Sequence, residues 1–109
     1  MFGTRASTAT LSFVDSVAAW RDTTATVIDN TWHHIAFVLE DGANTVTVYV
    51  DGSDVLTFTS TVSVAVDDVF SLGQEYDAMT PGDFYEGQLD DVRVYDKALS
   101  QEQIIVLAQ

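Results

Sequence analysis

The run Thr45-Val46-Thr47-Val48-Tyr49-Val50 puts Val46, Val48 and Val50 on one parity and Thr45, Thr47 and Tyr49 on the other. Successive side chains of an extended strand face opposite ways, so this period of two predicts a strand with one buried face. Just before it lies Glu40-Asp41-Gly42-Ala43-Asn44, and just after it a second Asp-Gly pair, Asp51-Gly52. Asp-Gly between apolar runs is a hairpin signal because both residues tolerate positive φ. Upstream, Trp32 to Glu40 is apolar on both parities, as expected for a strand covered on both sides.

Further strands are expected at Leu11–Val14, Ala25–Ile28, Val55–Thr59, Val69–Leu72 and Leu89–Tyr95, all short and evenly separated. That spacing predicts an all-β fold, a sandwich or a jelly roll, as a single domain over residues 1–109. A helical signal comes only at the end. Ser100-Gln101-Glu102-Gln103 fits a capping box, and Ile104, Ile105 and Leu107 supply an apolar stripe for a short C-terminal helix. Gln74 to Gly87, which holds the only proline, Pro81, is the least regular stretch and is expected to be a loop of functional interest.

Composition narrows the chemistry. Four basic residues against seventeen acidic ones give a formal net charge of -13, which argues against nucleic acid and anionic membranes as partners, since both are bound by clustered Lys and Arg. Hydrophobic residues make up 47% of the 109, enough for one small core. With no cysteine, disulfides and thiolate metal sites are impossible. The start, Met1-Phe2-Gly3-Thr4-Arg5, has neither the apolar stretch of a signal peptide nor that of a membrane span.

Within the irregular stretch, Leu72-Gly73-Gln74-Glu75-Tyr76-Asp77 carries two carboxylates two residues apart. On a strand these share a face, with the Tyr76 carbonyl between them, so three oxygens could meet one cation. Calcium takes six to eight oxygens, and Asp83 and Glu86 are the nearest further donors. The competing reading is a solvated acidic rim. Tyr76, Met79, Phe84 and Tyr85 stand close by in sequence and are candidates to contact a ligand, aromatic faces being suited to sugar rings.

Three stretches together carry a family resemblance: Trp32-His33-His34-Ile35-Ala36, Tyr49-Val50-Asp51-Gly52, and Gly87-Gln88-Leu89-Asp90-Asp91-Val92-Arg93-Val94-Tyr95-Asp96-Lys97-Ala98-Leu99-Ser100. In this order they resemble the laminin-G-like and pentraxin branch of the concanavalin A-like jelly rolls. The resemblance implies two curved antiparallel sheets and a non-catalytic, lectin-like module that binds glycan or glycoprotein, often through calcium, in an extracellular, cell-surface or virion-surface setting. Pentraxins carry a similar Leu-Gly-Gln-Glu-x-Asp, which implies calcium ligation by the Glu75 side chain, the Tyr76 carbonyl and the Asp77 side chain. Their further Asp-Asn pair would fall near Ala6-Ser7-Thr8-Ala9, which has no carboxylate, so a single calcium is the expectation.

Other outcomes stay open. Some relatives cleave glycans with a Glu-x-Asp-x-x-Glu strand, but that run does not occur here, and Asp90 and Asp91 are adjacent and expected on opposite faces. No catalytic residue is therefore assigned. His34 is expected as a hydrogen-bonded core histidine beside Trp32, and Arg93 with Asp96 as a charge pair. Family domains have strands before the one that begins near Phe2, so the chain is expected to be the C-terminal two-thirds of a larger domain, completed by another segment or by self-association. The alternative is a minimal sandwich that serves as an appendage module of a larger extracellular assembly or virus particle. The alternative function is a structural or oligomerisation domain with no small ligand, and a glycoside hydrolase-like enzyme comes last.

Overall fold

A computed structural model describes residues 2–5, 9–14, 20–60, 70–77 and 80–109. They belong to two compact units, Met1–Val62 with Asp96–Gln109, and Ser63–Tyr95.

The first unit holds two antiparallel three-stranded sheets. One is β1 (Phe2–Arg5), β2 (Thr10–Val14) and β3 (Trp20–Thr26), in chain order. The other is β4 (Ile35–Glu40), β5 (Thr45–Val50) and β6 (Ser53–Thr59), also in chain order. The alternation of β5 is realised: Val46, Val48 and Val50 join Leu11 of β2 in a buried cluster, with Ala25, Val27, Phe37, Val55, Leu56 and Phe58 packed around it. Phe13 meets Phe58 at 4.9 Å between ring centroids, and the Arg21 guanidinium lies 4.8 Å from the centre of the Phe58 ring. Here β2 and β6, one from each sheet, share one apolar layer.

The opposite face of β4–β5 is also covered. Val38 and Tyr49 bury themselves against Ile104 of the C-terminal helix α1 (Gln101–Leu107), with Ala36 and Leu99 alongside. That explains why Trp32 to Glu40 is apolar on both parities: Phe37 faces the inter-sheet core and Val38 faces the helix. The strand itself begins only at Ile35, and Trp32 is 64% exposed. α1 starts as expected: Ser100 accepts from the Gln103 amide at 3.4 Å, and Gln103 Oε1 accepts from the Ser100 amide at 2.9 Å.

The two Asp-Gly connections resolve differently. At Asp51-Gly52 both residues take positive φ, 51° and 80°, as a tight hairpin turn requires. At Asp41-Gly42 the chain makes one 3-10 turn, η1 (Asp41–Ala43), and the positive φ of 49° falls on Asn44. The longer loop shifts the left-handed position by two residues, which Asn tolerates.

The second unit has one two-stranded hairpin, β7 (Glu75–Asp77) with β8 (Thr80–Gly82), paired Glu75 to Gly82, Tyr76 to Pro81 and Asp77 to Thr80. The stretch from Gln74 to Gly87 is thus less irregular than its sequence suggests. The expected strand at Leu89–Tyr95 does not form. Asp91 takes φ 52°, its amide donates to Asp90 Oδ1 at 2.7 Å, and Arg93 folds back onto its carboxylate. Local side-chain bonds of this kind compete with ladder formation. Phe70 to Leu72 is also outside any strand, and Val69 lies outside the described residues. The strand expected at Ala25–Ile28 instead runs Trp20–Thr26.

Candidate functional site

In the second unit, the backbone of Glu75-Tyr76-Asp77 is extended and paired, as expected of a strand. Its approach is shaped by Gly73, φ 73°, with the Ser71 hydroxyl donating to the Gln74 carbonyl at 2.9 Å. The Tyr85 amide then donates to the Gly73 carbonyl at 2.8 Å, closing the base of the hairpin. Thr80 stands opposite Asp77 near the turn, while Gly82 stands opposite Glu75 at the base. Asp83 follows Gly82 directly, with φ 44°, and is exposed. Backbone register therefore brings Asp83 to the Glu75 end of the hairpin rather than the Asp77 end. Glu86 lies three residues further along and is exposed.

The side chains of Glu75, Tyr76 and Asp77, and residue Met79, lie outside the described residues. Of the other ligand-contact candidates, Phe84 is 67% exposed and Tyr85 45%. The Tyr85 ring lies over Gly87, where an added Cβ would come within 2.5 Å of the ring. Among the described residues no group of three or more His, Asp or Glu side chains is arranged to hold a metal ion.

The charge pair expected between Arg93 and Asp96 forms with Asp91 instead. Arg93 Nε donates to Asp91 Oδ1 and Nη2 to Oδ2, both at 2.9 Å, a two-point contact between exposed groups. Such pairs contribute little to stability. The Tyr95 and Asp91 contacts hold the Arg93 guanidinium above its usual range, so it stays charged.

The first unit contains a constellation that the sequence reading passed over. His33 sits in the connection between β3 and β4, its side chain only 15% exposed. Its Nδ1 is 2.7 Å from Asp51 Oδ2, and its Nε2 is 3.0 Å from Asp29 Oδ1. Thr31 adds to the same corner: its amide and hydroxyl both donate to Asp29 Oδ1, at 3.0 and 2.7 Å, and its hydroxyl oxygen is 3.1 Å from His33 Nε2. Asp51 also accepts from the His34 amide through Oδ1 at 2.9 Å, and its own amide donates to the His34 carbonyl at 2.9 Å.

The electrostatics follow from these contacts. Hydrogen bonds to Asp51 and then Asp29 outweigh partial burial and raise the His33 imidazolium above the ordinary histidine range. Burial pushes the Asp51 carboxyl up, but the bonds from His33 and the His34 amide win and hold it below its usual value. Thr31 first, and then His33, do the same for Asp29. Two signals for this cluster stand in the sequence. Asp29, Thr31 and His33 are spaced two apart, and the β4–β5 register of Ile35 to Val50, carried one step further, sets His34 opposite Asp51.

His34 differs from its expected role. It is half-buried, Trp32 beside it in sequence is exposed, and its Nδ1 is enclosed with no hydrogen-bonding partner among the described residues. The hairpin turn engages its backbone instead.

Comparison with solved structures gives a crystal structure, at 2.1 Å, of residues 221–444 of an S-layer domain-containing protein from Clostridium thermocellum. The two chains are 17% identical and superpose with a TM-score of 0.68, over 100% of this chain and 61% of that one. At that identity the likeness is one of fold, and this chain spans less than two thirds of the other's length. Among curated protein sequences no match is found. A laminin G-type family model matches residues 2–105, nearly the whole chain. With its antiparallel sheets and a model match of that extent, the chain belongs to the concanavalin A-like lectin/glucanase superfamily.

Proposed function

We propose that this chain is a non-catalytic recognition module of an extracellular or surface protein, binding a glycan or glycoprotein at the β7–β8 hairpin with the help of one calcium ion. The observation that carries this reading is the hairpin itself. It gathers Glu75 and Asp77 on one strand, and puts Asp83, Phe84 and Tyr85 immediately after the other. Residues two apart on a strand are separated by about 7 Å, so carboxylates from both can approach an ion that binds oxygens at roughly 2.3–2.6 Å. Asp83 and Glu86 would complete the donor set, and coordination positions left open would accept sugar hydroxyls. Tyr76, Met79, Phe84 and Tyr85 would supply apolar contact to the ring faces. The surface setting draws support from the superfamily and from the S-layer protein that shares the fold.

Thermal unfolding with calcium and with a chelator, alongside glycan-array binding under both conditions, tests the proposal. A ligand held only by the folded chain at a hundred times its dissociation constant stabilises by about 2.7 kcal/mol. Calcium should raise the melting temperature and permit glycan binding, and Glu75→Ala or Asp77→Ala should abolish both effects. Identical melting and identical arrays in calcium and chelator would defeat it.

A second reading is favoured by a different observation: Phe70, Leu89, Val92 and Val94 of the second unit are each 52–79% exposed. Apolar side chains grouped on a surface mark sites of assembly. On that reading the domain is a structural or oligomerisation unit, and light scattering would find a stable multimer whether or not calcium is present.

A further inference from the structure

Asp29, His33 and Asp51 form a chain of polar contacts whose geometry favours the imidazolium over a neutral ring, in which Nε2 could accept only from the Thr31 hydroxyl. Deprotonated carboxylates only accept hydrogen bonds, and a neutral imidazole has a single N–H. His33 presents both ring nitrogens to carboxylate oxygens, at 2.7 and 3.0 Å, so both bonds exist only when the ring is an imidazolium. Removing one proton would turn a lone pair towards a carboxylate and convert one of the two attractions into a repulsion.

The ring ties together parts that are distant in sequence. Asp29, Thr31 and His33 lie in the connection between β3 and β4, whereas Asp51 is the first left-handed residue of the β5–β6 turn. The second, Gly52, packs against α1, where a Cβ at that position would be 3.1 Å from Ile105 Cγ1. The charged groups acting on the ring are Asp51 from the turn and Asp29 from its own segment. His34 acts on Asp51 through its amide and its ring. On α1, Glu102 acts on Tyr49 instead.

We propose that His33 is a proton-operated clasp that fastens the β3–β4 connection to the β5–β6 turn while doubly protonated and releases it on losing one proton. The segment released contains Trp32, 64% exposed, so the clasp governs the position of a large aromatic side chain at this edge of the fold. The direction in pH follows from the raised imidazolium. Its contribution is complete below the ordinary histidine value of about 6.5 and is lost as pH rises through the higher folded value. At the acid end the lowered Asp29 and Asp51 carboxyls open the clasp as pH falls below about 4 and through their folded values.

The test is a nitrogen-15 NMR titration of the two histidine rings in the intact chain. His33 should show both ring nitrogens protonated at pH 6 and titrate above about 6.5. Asp51→Asn, which keeps an acceptor for the His34 amide and tolerates the left-handed turn, should lower that midpoint, and so should Asp29→Asn. Hydrogen exchange of the His34 and Asp51 amides should accelerate through the same titration by more than the tenfold per pH unit of ordinary base catalysis. His33→Gln should lose the alkaline fall in melting temperature between pH 6 and 9; should that variant not fold, the ring titration decides alone. A His33 ring singly protonated at pH 6, or a midpoint unmoved by both Asn substitutions, overturns the clasp.

Discussion

Two glycines separate strain from mere crowding at the scale of single residues. Gly52 has φ 80°, and a Cβ there would lie 3.1 Å from Ile105 Cγ1 and 3.3 Å from Ile105 Cα. A left-handed backbone costs an L-residue roughly 1–2 kcal/mol, and here the obstacle includes helix backbone. Gly52→Ala is therefore expected to destabilise by at least that much in urea unfolding. Gly87 is crowded more closely, but by the Tyr85 ring, which is 45% exposed and can swing outwards. Gly87→Ala should leave the urea midpoint nearly unchanged while displacing Tyr85, seen as a change in its ring resonances; unaltered Tyr85 signals would refute the contact. The positive φ at Asp51-Gly52 could be read from the dipeptide alone. The charge on His33 could not, because Asp51 reaches it only after the β4–β5 hairpin has set its register.

At the scale of elements, a partner strand adjacent in sequence is not enough to make a strand readable: β3 pairs with β2 yet runs Trp20–Thr26 rather than Ala25–Ile28. Thr45–Val50 was read to the residue because β4 and β6 flank it and its valines meet a buried layer. Leu89–Tyr95 carries similar alternation without forming a strand: alternation states which face would be buried, not whether a partner exists to receive the backbone bonds. Helix α1 was readable from its capping box, and packing explains its position. Ile104, 2% exposed, is its only buried side chain and holds the helix to Val38 and Tyr49. A seven-residue helix has little stability of its own, so Ile104→Ala should cost about 2–5 kcal/mol and detach α1 from the sheet. Ser100→Ala should cost less, near the low end of roughly 0.5–2 kcal/mol, since its bond to the Gln103 amide is long at 3.4 Å. Circular dichroism and urea unfolding would rank the two variants, and equal losses would contradict this division of roles.

For the whole molecule, the two-sheet architecture and the superfamily came through from the pattern of strands and three short stretches, and the match over residues 2–105 agrees with them. The candidate cation site was readable only as spacing and as a resemblance to the pentraxin Leu-Gly-Gln-Glu-x-Asp, since ligation depends on where several side chains converge. The net charge of -13 raises the same question for the entire surface, because spread-out acids attract cations diffusely while a site takes one ion at fixed stoichiometry. Calorimetric titration of calcium into metal-free chain at physiological salt, repeated with Glu75→Ala and Asp77→Ala, separates these. The account predicts one saturable ion per chain, lost in both variants and insensitive to competing magnesium. Weak, unsaturable heats that shrink with added salt and survive both substitutions would contradict it.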